Sequence, residues 1–392
     1  MNELQVKRNV FLYKLFFVLM ESLFVGPILI FYIQNIGKMA LSDIFIMEAV
    51  VVGGLILLEV PTGSLADLIG RKKTILLGCI LMTIHEIILV MSNSPIDIWI
   101  ANIVWMISLS LRSGATEAFL YDTLKEVGKE QEYEKIQGKS FGYLLLAMAF
   151  CSLFAGYLSE INPRLPFILS LPGMITACFA VALFKEPIKT QKYSFKKQKE
   201  LMKISVLFVK NHLKVKWIIA FAVLISTSTK IWFFTYNPYF ELVDFDLKYY
   251  GIVFFFFNII SWYFSTNAHI LKDKLKEKTS IIAMISLIGF PIFLMGLFAS
   301  KIMISMAFLQ YPVRGFIKPF LGGFLNRHLS TENRATVISI QSAAAGLACF
   351  IGLSAFGLIL EVWTLPFCLQ ILGFSVLLLG LILVIQYKRI FR

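Results

Sequence analysis

The chain is 392 residues long, 58% hydrophobic and only 16% charged, with 37 phenylalanines and a mean hydropathy of +0.77. A soluble protein needs about 25% charged residues to cover its surface, so a cytosolic enzyme of two or three domains is excluded. The net charge of +13 is scattered over many short segments, which argues against a nucleic-acid partner and for contact with anionic lipid headgroups.

Taken in chain order, twelve segments are apolar and long enough to cross a ~30 Å hydrocarbon core, at roughly 10–35, 42–66, 73–92, 97–121, 139–160, 164–184, 216–240, 250–271, 279–299, 302–325, 334–360 and 364–386. The expected fold class is an all-α polytopic membrane protein with twelve transmembrane helices. The first segment follows Lys7 and Arg8 as a secretory signal does. No small-residue cleavage site comes after it, and Lys14 and Glu21 interrupt it, so it reads as a retained helix. The cysteines, Cys79, Cys151, Cys178, Cys349 and Cys368, all fall inside spans and read as packing residues, with no disulfide or metal framework.

Charge placement sets the orientation. With the N-terminus in the cytoplasm, inner segments carry most of the 37 Lys and Arg. The outer ones carry only Lys38, Arg164, Lys248 and Lys301. Cations are retained on the cytoplasmic side, so both termini are expected inside, in a cell membrane. The longest polar stretch divides the chain into an N-terminal six-helix bundle (1–184), a basic cytoplasmic linker (185–215) and a C-terminal six-helix bundle (216–392). In the linker, Leu201, Ile204, Leu207 and Phe208 share one helical face among lysines, as in an amphipathic helix on the inner leaflet.

Between spans 2 and 3 lies "GSLADLIGRKK", residues 63 to 73. Six residues separate Gly63 from Gly70 and Arg71 follows, so it is no Walker A loop, and no strand precedes it as a dinucleotide site requires. The equivalent loop of the second half, "LKDKLKEKTS", aligns with "LADLIGRKKT" by pairing Leu65 with Leu271, Asp67 with Asp273, Lys72 with Lys278 and Thr74 with Ser280. Two six-helix repeats suit one large class of transporters.

Several charges lie inside apolar spans, where each is costly. Lys14 can snorkel to the surface. Arg112, Lys230 and Arg314 lie near the middle of spans 4, 7 and 10, with Lys318 one turn from Arg314. Glu21, Glu48, Glu59, Glu86 and Glu117 are the embedded acids, all in the first half. Pairing that merely holds the halves together is one reading, preferred for Glu48, Glu59 and Glu86. Proton or substrate binding is the other. Span 10, "FLQYPVRGFIKPFLGG", has Pro312 and Pro319 around Gly315 and is expected to be kinked or partly unwound. In span 7, Trp232, Phe233 and Tyr236 offer an aromatic wall near Lys230.

The loop "GSLADLIGRKK" resembles the signature between spans 2 and 3 of the major facilitator superfamily, with Gly63, Leu65, Ala66, Asp67, Gly70, Arg71 and Lys72 matching and Leu68 departing from the usual basic residue. The resemblance implies two six-helix bundles around a central cavity lined by spans 1, 4, 7 and 10. It places Glu21, Arg112, Glu117, Lys230, Trp232, Tyr236, Arg314 and Lys318 on the proton and substrate path. It also implies that Asp67, Arg71 and Asp122 form a gating charge cluster, with Gly63 and Gly70 allowing the turn; the blander alternative is that the cations only fix topology. In character the chain is closest to the twelve-span drug:proton antiporters. However, Arg112 lies two residues before Gly114 rather than four, and span 5 lacks that branch's Gly-Pro pair.

The leading expectation is a transporter, not an enzyme, exporting a drug-like or amphiphilic molecule by alternating access driven by protons. Proton-coupled uptake of a small anionic nutrient, or a non-transporting sensor or scramblase, are the alternatives. Its expected partners are a small-molecule substrate, protons and lipids. A monomer is expected, without cofactor or metal; the histidines His85, His212, His269 and His328 do not cluster.

Overall fold

The computed structural model describes residues 1–21, 23–187, 209, 212–328 and 331–391. The amphipathic linker face at Leu201, Ile204, Leu207 and Phe208 lies outside them. The described residues fold entirely into helices and their connections. In chain order they are α1 (Glu3–Leu19), α2 (Leu29–Asn35), α3 (Leu41–Ile69), α4 (Arg71–Met91), α5 (Pro95–Lys125), α6 (Tyr133–Ile161) and α7 (Leu165–Ala182). The second half supplies α8 (Leu213–Leu242), α9 (Tyr250–Thr266), α10 (Ala268–Lys274), α11 (Glu277–Leu297), α12 (Ile304–Ala307), α13 (Tyr311–His328), α14 (Thr331–Val362) and α15 (Leu365–Ile390).

Among the described residues, 10 helices are long and apolar enough to cross a membrane. The two expected spans missing from that set, the first and the tenth, are broken. The first stops at Leu19 and resumes through a 3-10 turn at Gly26–Ile28 before α2. Pro27 lacks an N–H and its ring crowds the preceding turn, while Gly26 weakens helix there. The tenth is assembled from a turn at Lys301–Met303, the short α12, a second turn at Phe308–Gln310 and then α13. The break expected near Gly315 therefore falls earlier, just before Pro312. A proline in the first turn of a helix costs nothing, because its N–H has no partner there anyway; Pro319 is carried inside α13.

The chain packs as two compact units. One comprises Met1–Met39, Gly53–Phe195 and Leu247–Phe255; the other comprises Ala40–Val52, Lys196–Asp246 and Phe256–Arg392. In the first, Phe119 stacks on Phe184 at 4.3 Å and Phe16 meets Phe184 edge-on, within a core that includes Tyr13, Met82 and Met174. In the second, Trp217 stacks on Phe221 at 5.5 Å and donates its indole N–H to the Leu383 carbonyl at 2.8 Å. Leu57, Phe179 and Phe374 are more than half exposed. Apolar surface of this kind belongs against lipid tails.

Candidate functional site

At the end of α3 the chain reverses through Gly70, whose φ of +100° is open to glycine and costly for other residues. Gly63 lies inside α3, seven residues earlier, so it takes no part in the reversal. Helix α4 then begins with Arg71, Lys72 and Lys73, three cations at the positive end of a helix dipole. Glu186, just past α7, offsets that conflict. Its carboxylate accepts the backbone N–H of Arg71 at 2.7 Å and of Lys72 at 2.8 Å. The Arg71 side chain turns the other way and places Nε 2.8 Å from Asp122 Oδ2 near the end of α5. Both side chains are well buried. Asp67 is half-buried in the last turn of α3. The structure therefore joins Arg71 to Asp122 and adds Glu186, which sequence reasoning missed.

The counterpart loop of the second half turns differently. Lys276, aligned with Gly70, caps α11 with φ −62° and ψ 147°, an extended conformation open to any residue. Glu277 supplies the acid of the first turn from within the helix, and its carboxylate accepts the Tyr387 hydroxyl at 3.0 Å.

Deeper in the first unit, Arg112 is 6% exposed and lies across Gly78 of α4. Its guanidinium is 3.6 Å from Glu21, which sits at the break in the first span. Glu117 is on the exposed side of α5, where Gln137 donates to it at 3.5 Å. It is not the buried carboxylate expected from its position in span 4. His85 is buried and donates to the Ala101 carbonyl at 2.8 Å.

The second unit holds a cavity of about 370 Å³. Ser226, Thr229, Lys230 and Phe233 form one stripe along α8, as residues spaced by three and four must. Facing them are Gln310, Tyr311 and Arg314 from the broken tenth span, and Trp232 closes the wall. Lys230 lies 4.8 Å over the Phe234 ring and 3.6 Å from Glu48 of α3. Glu48 is 5% exposed, so Lys230 is the counter-charge of a buried carboxylate. Arg314 is exposed and rests 5.7 Å over Tyr311, which in turn stacks on Phe257 at 3.8 Å.

Two expectations change here. Tyr236 is 1% exposed and packs edge-on against Phe233, Phe240 and Phe257. Although its spacing puts it on the same helical face as Thr229 and Phe233, its ring is enclosed by these aromatics, so it is core and not among the residues that line the cavity. Lys318 is exposed one turn beyond Arg314 and is not among the lining residues. Conversely, Gln310 lines the cavity, and Glu48 adjoins it through Lys230. Glu48 was visible as an embedded acid, whereas Gln310 is uncharged and stood out in no pattern.

The sequence pattern of the Major Facilitator Superfamily matches residues 10–352. A protein of Buchnera aphidicola subsp. Acyrthosiphon pisum described as an uncharacterized transporter is 27% identical over 310 residues, covering 76% of this chain and 75% of its own. Among solved structures, the nucleoside transporter NupG superposes with a TM-score of 0.80 at 11% identity, over 99% of this chain and 100% of that one. A D-xylose-proton symporter superposes with a TM-score of 0.75 at 12% identity, over 96% and 97% of the two chains.

Proposed function

Because the chain belongs to the major facilitator superfamily and is a multi-pass membrane transporter, we propose that it carries a small polar organic anion together with protons. The observation that carries this reading is the pairing of Glu48 with Lys230, which lines the second unit's cavity. A buried carboxylate is tolerated here because the ammonium beside it neutralises it. When Glu48 takes up a proton, Lys230 loses its counter-charge and turns to an anionic solute in the cavity. When the proton leaves, Glu48 reclaims Lys230 and the solute is released. Solute and proton thus travel in the same direction. Each proton crossing 100 mV contributes about 2.3 kcal/mol to uphill movement.

The cavity wall favours this over export of an amphiphile. Ser226, Thr229, Lys230, Gln310 and Arg314 give it hydroxyl, amide and cationic groups, where a greasy substrate calls for apolar ones. The named substrates of the two similar structures, a nucleoside and D-xylose, are likewise polar. Glu21 and Arg112 form a second acid–cation pair at the first span's break, and we assign it the same kind of proton-linked role. The Arg71–Asp122 pair, braced by Glu186, serves as the gating contact.

The test is uptake into proteoliposomes of radiolabelled organic acids, uridine and xylose, with and without an inward proton gradient. An organic acid should accumulate only with the gradient. Glu48→Gln should abolish that response while retaining exchange of labelled for unlabelled solute. Gradient-independent uptake by the wild type, or an unimpaired Glu48→Gln variant, refutes the coupling.

A further inference from the structure

Gln310 is 2% exposed, and both its amide nitrogen and its amide oxygen lack a hydrogen-bond partner. The Trp232 indole N–H, 2% exposed, lacks one as well. Buried polar groups are nearly always paired, and here two unpaired ones line the same cavity. They also border the break in the tenth span, since Gln310 ends the 3-10 turn that precedes α13. Such groups can be satisfied by a ligand that enters the cavity.

The missing partner can be described chemically. An amide with both ends open pairs with a neighbouring donor and acceptor, the edge presented by another amide, a lactam or an imide. The indole N–H adds a donor for one further acceptor. Arg314, exposed on the same wall, supplies a planar fork that matches a carboxylate. Phe233, only partly buried, provides a ring face on which a flat molecule stacks.

We propose that the cavity selects flat organic acids bearing an amide- or imide-type edge, with Gln310 reading the edge and Arg314 the acid group. The proposal deepens the reading of this cavity as the solute site and rests on it. The Gln310 amide lies just under the wall, shielded from solvent, so it turns outward as the ligand arrives. Flat acids without the edge leave it unpaired, and neutral molecules with the edge leave Arg314 without a counter-charge.

The experiment is equilibrium binding to the purified full-length protein in detergent, by titration calorimetry with three probes. Orotate carries both features, benzoate only the acid and uracil only the edge. Orotate should bind at least about tenfold more tightly than either, the discrimination expected of one buried hydrogen-bonded group. Gln310→Leu should bring the orotate-to-benzoate affinity ratio towards one, and Arg314→Gln should do the same for the orotate-to-uracil ratio. Trp232→Phe, which removes the N–H together with part of the ring, should weaken orotate severalfold. Monodisperse elution and an unchanged melting temperature identify folded variants. The proposal is overturned if no probe binds, if orotate has no advantage, or if a folded Gln310→Leu protein keeps it. Binding needs no gradient, so selective binding without gradient-driven uptake would remove proton coupling alone. Coupled uptake of another solute with no orotate preference would remove this inference alone.

Discussion

Arg71 is held from two directions, by Glu186 at its backbone and by Asp122 at its side chain. The two contacts make separable predictions. Removing one member of a buried ion pair strands the other charge and costs about 3–5 kcal/mol, whereas removing both costs much less. Arg71→Gln and Asp122→Asn should therefore each lower the melting temperature in detergent, and the double variant should recover much of the loss. If the double variant is as unstable as the sum of the singles, the pair does not hold this end of the helix. Glu186→Gln leaves the ion pair intact and weakens the cap on α4 by about 1 kcal/mol. It should speed hydrogen exchange at the Arg71 and Lys72 amides, with little change at Asp122.

At the level of elements, the tenth span has the least freedom where it crosses α9. A Cβ on Gly315 would lie 2.1 Å from the Ser261 carbonyl oxygen, a backbone atom that cannot move aside alone. Gly315→Ala should force the two helices apart and cost about 1–3 kcal/mol or more. Gly322→Ala, two turns on in the same helix with open space around it, should be neutral or mildly stabilising. Thermal melting of both proteins checks the contrast.

The continuous spans were legible because twenty apolar residues in a row leave few alternatives. The broken ones were half legible. Pro312 announced trouble in the tenth span, but Gly26 and Pro27 were passed over in the first because an apolar run surrounds them. Within the site, Lys230 and Arg314 stand out in any apolar context. Tyr236 has the spacing of the cavity-facing residues, and only the packing of Phe240 and Phe257 around its ring makes it core. The pairing of Glu48 with Lys230, and of Glu186 with the start of α4, joins residues more than a hundred positions apart. Only tertiary packing reveals such partners.

At the scale of the whole molecule, both compact units hold an acid–cation pair within their apolar spans, Glu21–Arg112 in one and Glu48–Lys230 in the other. The units are not simply the two halves of the chain, however. Residues Ala40–Val52, the start of α3, pack into the second unit, and Leu247–Phe255, leading into α9, pack into the first. Severing the gene within the central linker would thus yield two polypeptides, each lacking a piece of its own core and carrying a piece of the other's. Expressed singly, such fragments should be degraded in the membrane; expressed together from two plasmids, they should co-purify through a tag on either one and restore uptake.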